Sequence, residues 1–210
     1  MLAEKERYAV WQTMQELHAQ GLIYLKSGNI SERTASGHVA IKPSGASYER
    51  MEVEDIVIVD LQGQVVDGQL KPSSETPMHT LIYRECPEVN AVVHTHAPHA
   101  LVLASLGLEI PFFCNENLLV GGPVPVTEYA CAGTEAIGQA VLRALFGPPR
   151  VKAALIRNHG AISVGATLEE ATLAAQAVEV LARAYHAALQ IGEPTVLTEA
   201  QIEELCAVYS

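Results

Sequence analysis

Three histidines and one glutamate carry the sharpest chemical signal in this 210-residue sequence. His94-Thr95-His96 closes an apolar run that begins at Asn90, and in a strand residues i and i+2 point to one face, so both imidazoles are presented together. Two nitrogens held that way suit a divalent ion such as Zn²⁺. His159 follows a second apolar run, 153–156, and precedes Gly160, where backbone can approach a ligand closely. Three protein ligands and one open position form the usual catalytic zinc site. Alone, an HxH pair is more often the polar end of a strand with solvated histidines.

Glu75 stands between Ser73-Ser74 and an apolar helical pattern, placed to be the fourth ligand or the base beside the metal. A glutamate in a first helical turn also completes a cap and favours the dipole. Ser27-Gly28-Asn29, Ser44-Gly45 and Ser73-Ser74 are three small turns whose N–H groups and hydroxyls can hold a phosphate dianion without Lys or Arg. That economy matters, because 13 Lys+Arg against 24 Asp+Glu leaves a net charge of −11. Such a balance excludes nucleic-acid and anionic-membrane partners. It does not exclude one small phosphate.

The elements that must position these groups read as α/β. Helical spacing covers 4–20, a polar loop 26–33, a strand 38–41 and a hairpin 55–60 with 64–67. A helix carrying Met78, Leu81 and Ile82 follows, capped by Ser73 or Ser74, then a strand over 90–96 and a helix over 99–106. Further on come a short strand at 111–113, a loop at 121–125, a helix at 134–146 and a strand at 153–156. A long helix at 168–190 capped by Thr167 and a short one at 199–208 complete the chain. The expected fold is a mixed sheet with helices on its faces, in one domain over 1–210. No stretch is apolar enough to span a membrane, and the charged N-terminal residues lack a signal peptide's apolar region. Cys86, Cys114, Cys131 and Cys206 form no CxxC pair and are expected as reduced thiols, mostly core fillers, in a cytoplasmic protein.

Ser27-Gly-Asn-Ile-Ser31, Lys42-Pro-Ser-Gly45, Lys71-Pro-Ser-Ser-Glu75, Ala91-Val-Val-His-Thr-His96 and Asn158-His-Gly160, in this order and spacing, resemble the class II aldolase/adducin-like family over roughly residues 5–205. The resemblance, closest to the aldolase branch, implies a three-layer α/β/α fold around a mixed, largely antiparallel sheet. It further implies a C4 homotetramer with sites at subunit interfaces and one Zn²⁺ per subunit on His94, His96 and His159. Glu75 would ligate the metal and then act as acid/base, while Gly28, Asn29, Ser44, Gly45, Ser73 and Ser74 hold the phosphate. The implied reaction cleaves a ketose 1-phosphate, L-fuculose 1-phosphate or a related deoxy-ketose phosphate, to dihydroxyacetone phosphate and an aldehyde through a metal-stabilised enediolate.

Relatives of the family that share the zinc triad include ribulose-phosphate 4-epimerases, with Asp in place of Glu75, methylthioribulose-phosphate dehydratases and oxo-tetronate-phosphate decarboxylases. Adducin-type interaction modules lack the metal histidines, all three of which stand here. One departure is plain: the family's proton-donating tyrosine falls on Asn115, while Tyr209 matches a tyrosine that reaches a neighbouring subunit. Of the other histidines, His79, one turn past Glu75, could face the site but is read first as a packing residue; His99, just past Pro98, could touch the site from behind its ligands; and His18, His38 and His186 are read as surface or helix residues.

Overall fold

Most strands of this protein are buried on both faces, which is why they read as near-continuous apolar runs. The computed structural model describes residues 1–209. Helix α1 (Glu4–Ala19) leads into β1 (Asn29–Arg33), β2 (Val39–Ile41), β3 (Val57–Val59) and β4 (Val65–Asp67). Helix α2 (Thr76–Glu85), β5 (Ala91–Thr95), α3 (Pro98–Leu106), α4 (Asn117–Val120) and α5 (Glu135–Phe146) follow. The hairpin β6 (Ala153–Ile156) and β7 (Gly160–Gly165), α6 (Leu168–Ile191) and α7 (Glu199–Tyr209) complete the order.

The strands form one seven-stranded sheet in the order β4-β3-β2-β1-β5-β7-β6. Every pairing between these strands is antiparallel, and the parallel component is one isolated bridge, Val126 to Leu155. Alternate strand residues feed two cores. Ile30, Ala40, Val93, Leu155 and Ala161 face α1, α3 and α6, while Ile41, Val57, Val92, Ile156 and Ile162 face α2 and α5. The result is three layers, helix on sheet on helix. Glycine at 160 is required by close packing, because a Cβ there would overlap the Thr95 carbonyl across the β5–β7 ladder.

Five expectations change. The polar segment 26–33 contains β1, whose Asn29 and Ser31 are buried because they meet polar side chains of α2. Residues 160–165 form β7, joined to β6 by a three-residue turn in which Asn158 adopts the left-handed region at φ 58°. The segment 111–113 is no strand, since Ile110 makes only an isolated bridge to Val124. Glu75 itself is the N-cap of α2, with no side-chain cap, and Ser73 Oγ accepts from the Glu75 N–H at 3.2 Å. Thr167 caps α6 as expected, accepting from Glu170 N–H. The cysteines are not mostly core: Cys86 is buried, Cys131 and Cys206 are exposed.

Candidate metal and anion site

The site forms where β1, β5 and β7 end beneath the start of α2. Register sets Asn29 opposite His94 and Thr95 opposite Ala161, so the β6–β7 turn brings His159 to the same end of the sheet. His94, His96 and His159 stand edge-to-face with ring centroids 4.8, 4.8 and 5.0 Å apart, and their ligand nitrogens all lie within 4.8 Å of one another. His94 is fully buried, and its Nδ1–H donates to the Ala161 carbonyl at 2.8 Å, which turns the Nε2 lone pair inward. Nε2 of His94 lies 3.0 Å from Nε2 of His96 and 3.1 Å from Glu75 Oε2. Glu75 Oε1 lies 3.3 Å from His159 Nε2.

These separations match the edge of a tetrahedron, since four ligands at about 2.0–2.1 Å from one zinc ion stand about 3.3 Å apart. A second observation agrees. Glu75 Oε1 is buried without a hydrogen-bond partner, a deficit that a cation would remove. Burial alone would raise the Glu75 carboxyl, but His94, the Asn29 amide and His159 together hold it well below the usual carboxylate range. Burial and the neighbouring His94 push His96 down to about 3 and also lower His159. Burial would lower His94, but the Glu75 carboxylate and the Ala161 carbonyl raise it above the ordinary imidazole value, a hold on positive charge that a cation could take over. The ionised Glu75 and the lowered His96 and His159 are in the states that bind a metal. The donor set therefore fits a divalent ion.

A cavity of about 280 Å³ opens beside the triad. All six anticipated anion-binding residues, Gly28, Asn29, Ser44, Gly45, Ser73 and Ser74, line it together with Glu75, His96 and His159. Gly28 is fixed by geometry, with φ 79° and a would-be Cβ 2.9 Å from the His94 carbonyl. Tyr48, buried against this loop, donates its hydroxyl to the Ser27 carbonyl.

Two lining residues escaped the sequence reading and change it. Lys26 and Lys42 border the cavity, so an anion there does not depend on neutral turns alone. Lys42 is 2 % exposed, donates to the Lys26 carbonyl at 3.2 Å and lies 4.9 Å from the Tyr48 ring centre. Burial first, then the nearby Lys26, lower its ammonium to about 8. Their signal lay in the motifs themselves, since Lys26 directly precedes Ser27 and Lys42 opens the Lys42-Pro-Ser-Gly45 stretch. Ala132 and Gly133 close the far wall. No tyrosine is among the lining residues; Asn115 is exposed in the turn before α4 and Tyr209 is 66 % exposed on α7.

The other histidines sort by distance. His79 is fully buried behind the site, where burial pushes it down to about 3, and it bonds Asn29 and Ser31. His99 pairs with His186, Nδ1 to Nδ1 at 3.2 Å, beside a groove of about 600 Å³ between α6 and the end of α1. His18 stacks on Tyr48.

Comparison with known proteins agrees with this architecture. The family model described as Class II Aldolase and Adducin N-terminal domain matches residues 9–186. A 5-deoxy-D-ribulose 1-phosphate aldolase from Bacillus thuringiensis serovar kurstaki is 36% identical over 206 residues, covering 98% of this chain and 95% of its own. A 5-methylthioribulose-1-phosphate/5-deoxyribulose-1-phosphate aldolase from Rhodospirillum rubrum is 38% identical over 200 residues, 95% of this chain and 88% of its own. A solved L-fuculose 1-phosphate aldolase superposes with TM-score 0.92 at 30% identity, over 100% of this chain and 98% of its own.

Proposed function

This chain belongs to the class II aldolase and adducin N-terminal domain family, and from that premise we propose that it is a zinc-dependent aldolase of a 5-deoxy-ketose 1-phosphate. Cleavage would give dihydroxyacetone phosphate and a short aldehyde. The observation that carries the reading is the four-donor cluster of His94, His96, His159 and Glu75 opening onto a cavity lined by three small turns and two lysines. Relatives named for 5-deoxyribulose 1-phosphate cover nearly the whole chain and favour a deoxy sugar. Asn115 in place of the expected tyrosine supports an aldehyde half unlike that of fuculose phosphate.

Each residue has a task in that reaction. Lys26, Lys42 and the turns at Gly28–Asn29, Ser44–Gly45 and Ser73–Ser74 bind the phosphate, which fixes the sugar carbons relative to the donors. Cleavage breaks the C3–C4 bond: the C4 hydroxyl gives its proton to solvent water and becomes the aldehyde carbonyl. The bonding pair is left on C3, and a proton delivered there completes dihydroxyacetone phosphate. Glu75 is the acid/base at C3: having given up the metal it would hold, it takes up a proton and passes it to C3, and its Oε1 has no hydrogen bond to break first. A divalent ion on the three imidazoles and Glu75 would supply Lewis-acid polarisation of the carbonyl and its adjacent hydroxyl.

The reading includes assembly as a C4 homotetramer in the cytoplasm. Helix α7 supports the assembly, because none of its residues is buried against its own chain. An isolated helix of that length is marginal in water and calls for a partner surface. No helix among the described residues is long and apolar enough to cross a membrane.

The test is direct. Protein reconstituted with zinc is incubated with the 1-phosphates of 5-deoxyribulose, 5-methylthioribulose and fuculose, and dihydroxyacetone phosphate is followed by coupled reduction. Release from at least the first is expected, abolished by Glu75→Gln and by chelation. Release from none of the three overturns the aldolase reading, and epimerised, dehydrated or decarboxylated products by NMR would move it to another branch of the family.

A further inference from the structure

Behind Glu75 a line of buried polar side chains starts at Asn29 of the cavity wall and runs on through His79, Ser31 and Tyr83, none of which lines the cavity. Glu75, His79 and Tyr83 recur every four residues along α2, an advance of about 6 Å, while Asn29 and Ser31 alternate along β1 with an advance of about 6.7 Å. The two repeats nearly match, so helix and strand stay in register over the whole stretch. Asn29 Nδ2 donates to Glu75 Oε2 at 2.8 Å, and Asn29 Oδ1 lies 2.5 Å from His79 Nε2. His79 Nδ1 lies 2.6 Å from Ser31 Oγ, which is 2.8 Å from the Tyr83 hydroxyl; that hydroxyl donates to the Ser31 carbonyl at 3.0 Å.

Donor and acceptor roles in this chain are interdependent. An amide oxygen only accepts, so with Asn29 Oδ1 toward His79 the imidazole must carry its proton on Nε2. Nδ1 is then bare and accepts from the Ser31 hydroxyl. Turning the Asn29 amide over would set its oxygen against the Glu75 carboxylate, two acceptors at hydrogen-bond distance, and would demand the other His79 tautomer. The ionised carboxylate selects the first arrangement, and the first arrangement holds the carboxylate. In a site this dry, a satisfied chain is rigid and a broken one is costly.

We propose that His79 is a positioning residue: by donating from Nε2 to Asn29 Oδ1 it locks the Asn29 amide, and through it aims the Glu75 carboxylate at the histidine triad. The proposal rests on the reading of Glu75 as ligand and acid/base. It assigns to His79, buried and out of reach of the cavity, a place in the function of the site rather than in packing alone.

Two experiments decide it. In the unaltered protein labelled with ¹⁵N at histidine, two-bond proton–nitrogen NMR reads the tautomer. His79 protonated at Nε2 with Nδ1 bare is expected, and a proton on Nδ1 overturns the proposal. The second experiment is a double-mutant cycle between position 79 and Asn29, read in zinc dissociation constant and in kcat for ketose 1-phosphate cleavage. His79→Leu weakens zinc and lowers kcat about 10–100-fold, the usual range for loss of a ligand-orienting partner. His79→Gln, which keeps an N–H to donate, recovers most of the loss. On an Asn29→Ala background the His79→Leu substitution costs less than threefold more, because its route to Glu75 is already cut. Fully multiplicative losses, or a glutamine variant no better than leucine, overturn the proposal. If His79→Leu does not fold, the tautomer in the unaltered protein decides alone. If no ketose phosphate is cleaved, the aldolase reading fails alone, since tautomer and zinc affinity still judge His79.

Discussion

Replacing Lys42 with Gln asks whether charge, and not only backbone, holds the anion. The Lys42 ammonium is 2 % exposed, and burial with Lys26 nearby lowers it to about 8 from an ordinary 10.5. It is therefore roughly nine-tenths protonated at pH 7 and roughly one-tenth at pH 9. Since a phosphate dianion binds the charged form, the KM of the wild-type protein should rise about tenfold between pH 7 and pH 9. A hydrogen bond to a charged group contributes about 1.5–3 kcal/mol, so Lys42→Gln should raise KM about 10–150-fold at pH 7 and flatten the profile. Stability must move the other way. Between about 8 and 10.5 the unfolded chain binds a proton that the folded chain has lost, so stability rises with pH across that window, by at most about 3 kcal/mol. Initial rates and urea midpoints from pH 6.5 to 10 measure both slopes. A flat wild-type KM between pH 7 and 9, with Lys42→Gln within threefold of wild type, would refute the reasoning.

Gly160→Ala should destabilise by about 1–3 kcal/mol and weaken zinc binding, because its Cβ would overlap the Thr95 carbonyl and push away the turn carrying His159; an unchanged thermal midpoint would refute it. Burial and the neighbouring Glu6 raise Glu32 to about 7, and its Oε2 is buried without a partner. Between 4.5 and about 7 the folded chain holds a proton that the unfolded chain releases, so stability falls as pH rises through that window. Glu32→Gln should remove the fall, raising the urea midpoint at pH 8 and not at pH 4; identical pH slopes in both proteins would sink the idea.

The histidine triad was legible because strand parity is local: a period of two puts His94 and His96 on one side wherever the strand lies. The helices were legible for the same reason, with Thr167 capping α6 in the sequence and in the structure. Strand β1 was hidden because its buried side chains are polar. Asn29 and Ser31 have partners only on α2, nearly fifty residues away, and no window along β1 contains them. The hydrogen bonds of His79 to Asn29 and Ser31 were hidden for the same cause. Strand β7 was hidden by its glycine ends, and the apolar 111–113 segment misled because apolar residues also serve loops that cover a core.

The charge reading shows the limit of a global sum. A net charge of −11 decides what the protein attracts from a distance, but the Debye length is about 8 Å at physiological salt, so remote carboxylates hardly reach the cavity. Inside it the tally is different: Glu75 is the one carboxylate on the wall, Lys26 and Lys42 are two cations, and the donor cluster fits a divalent ion. With that ion bound the cavity would be net positive within a strongly acidic protein. Glu75 ties the two scales together. Without a cation its unpartnered oxygen is a local defect, which the Asn29–His79 chain holds in place. With one, the same oxygen would be satisfied, and the field that holds it would favour a phosphate dianion as well. Metal and anion should then bind cooperatively, each improving the field for the other, although neither is attracted by the chain as a whole.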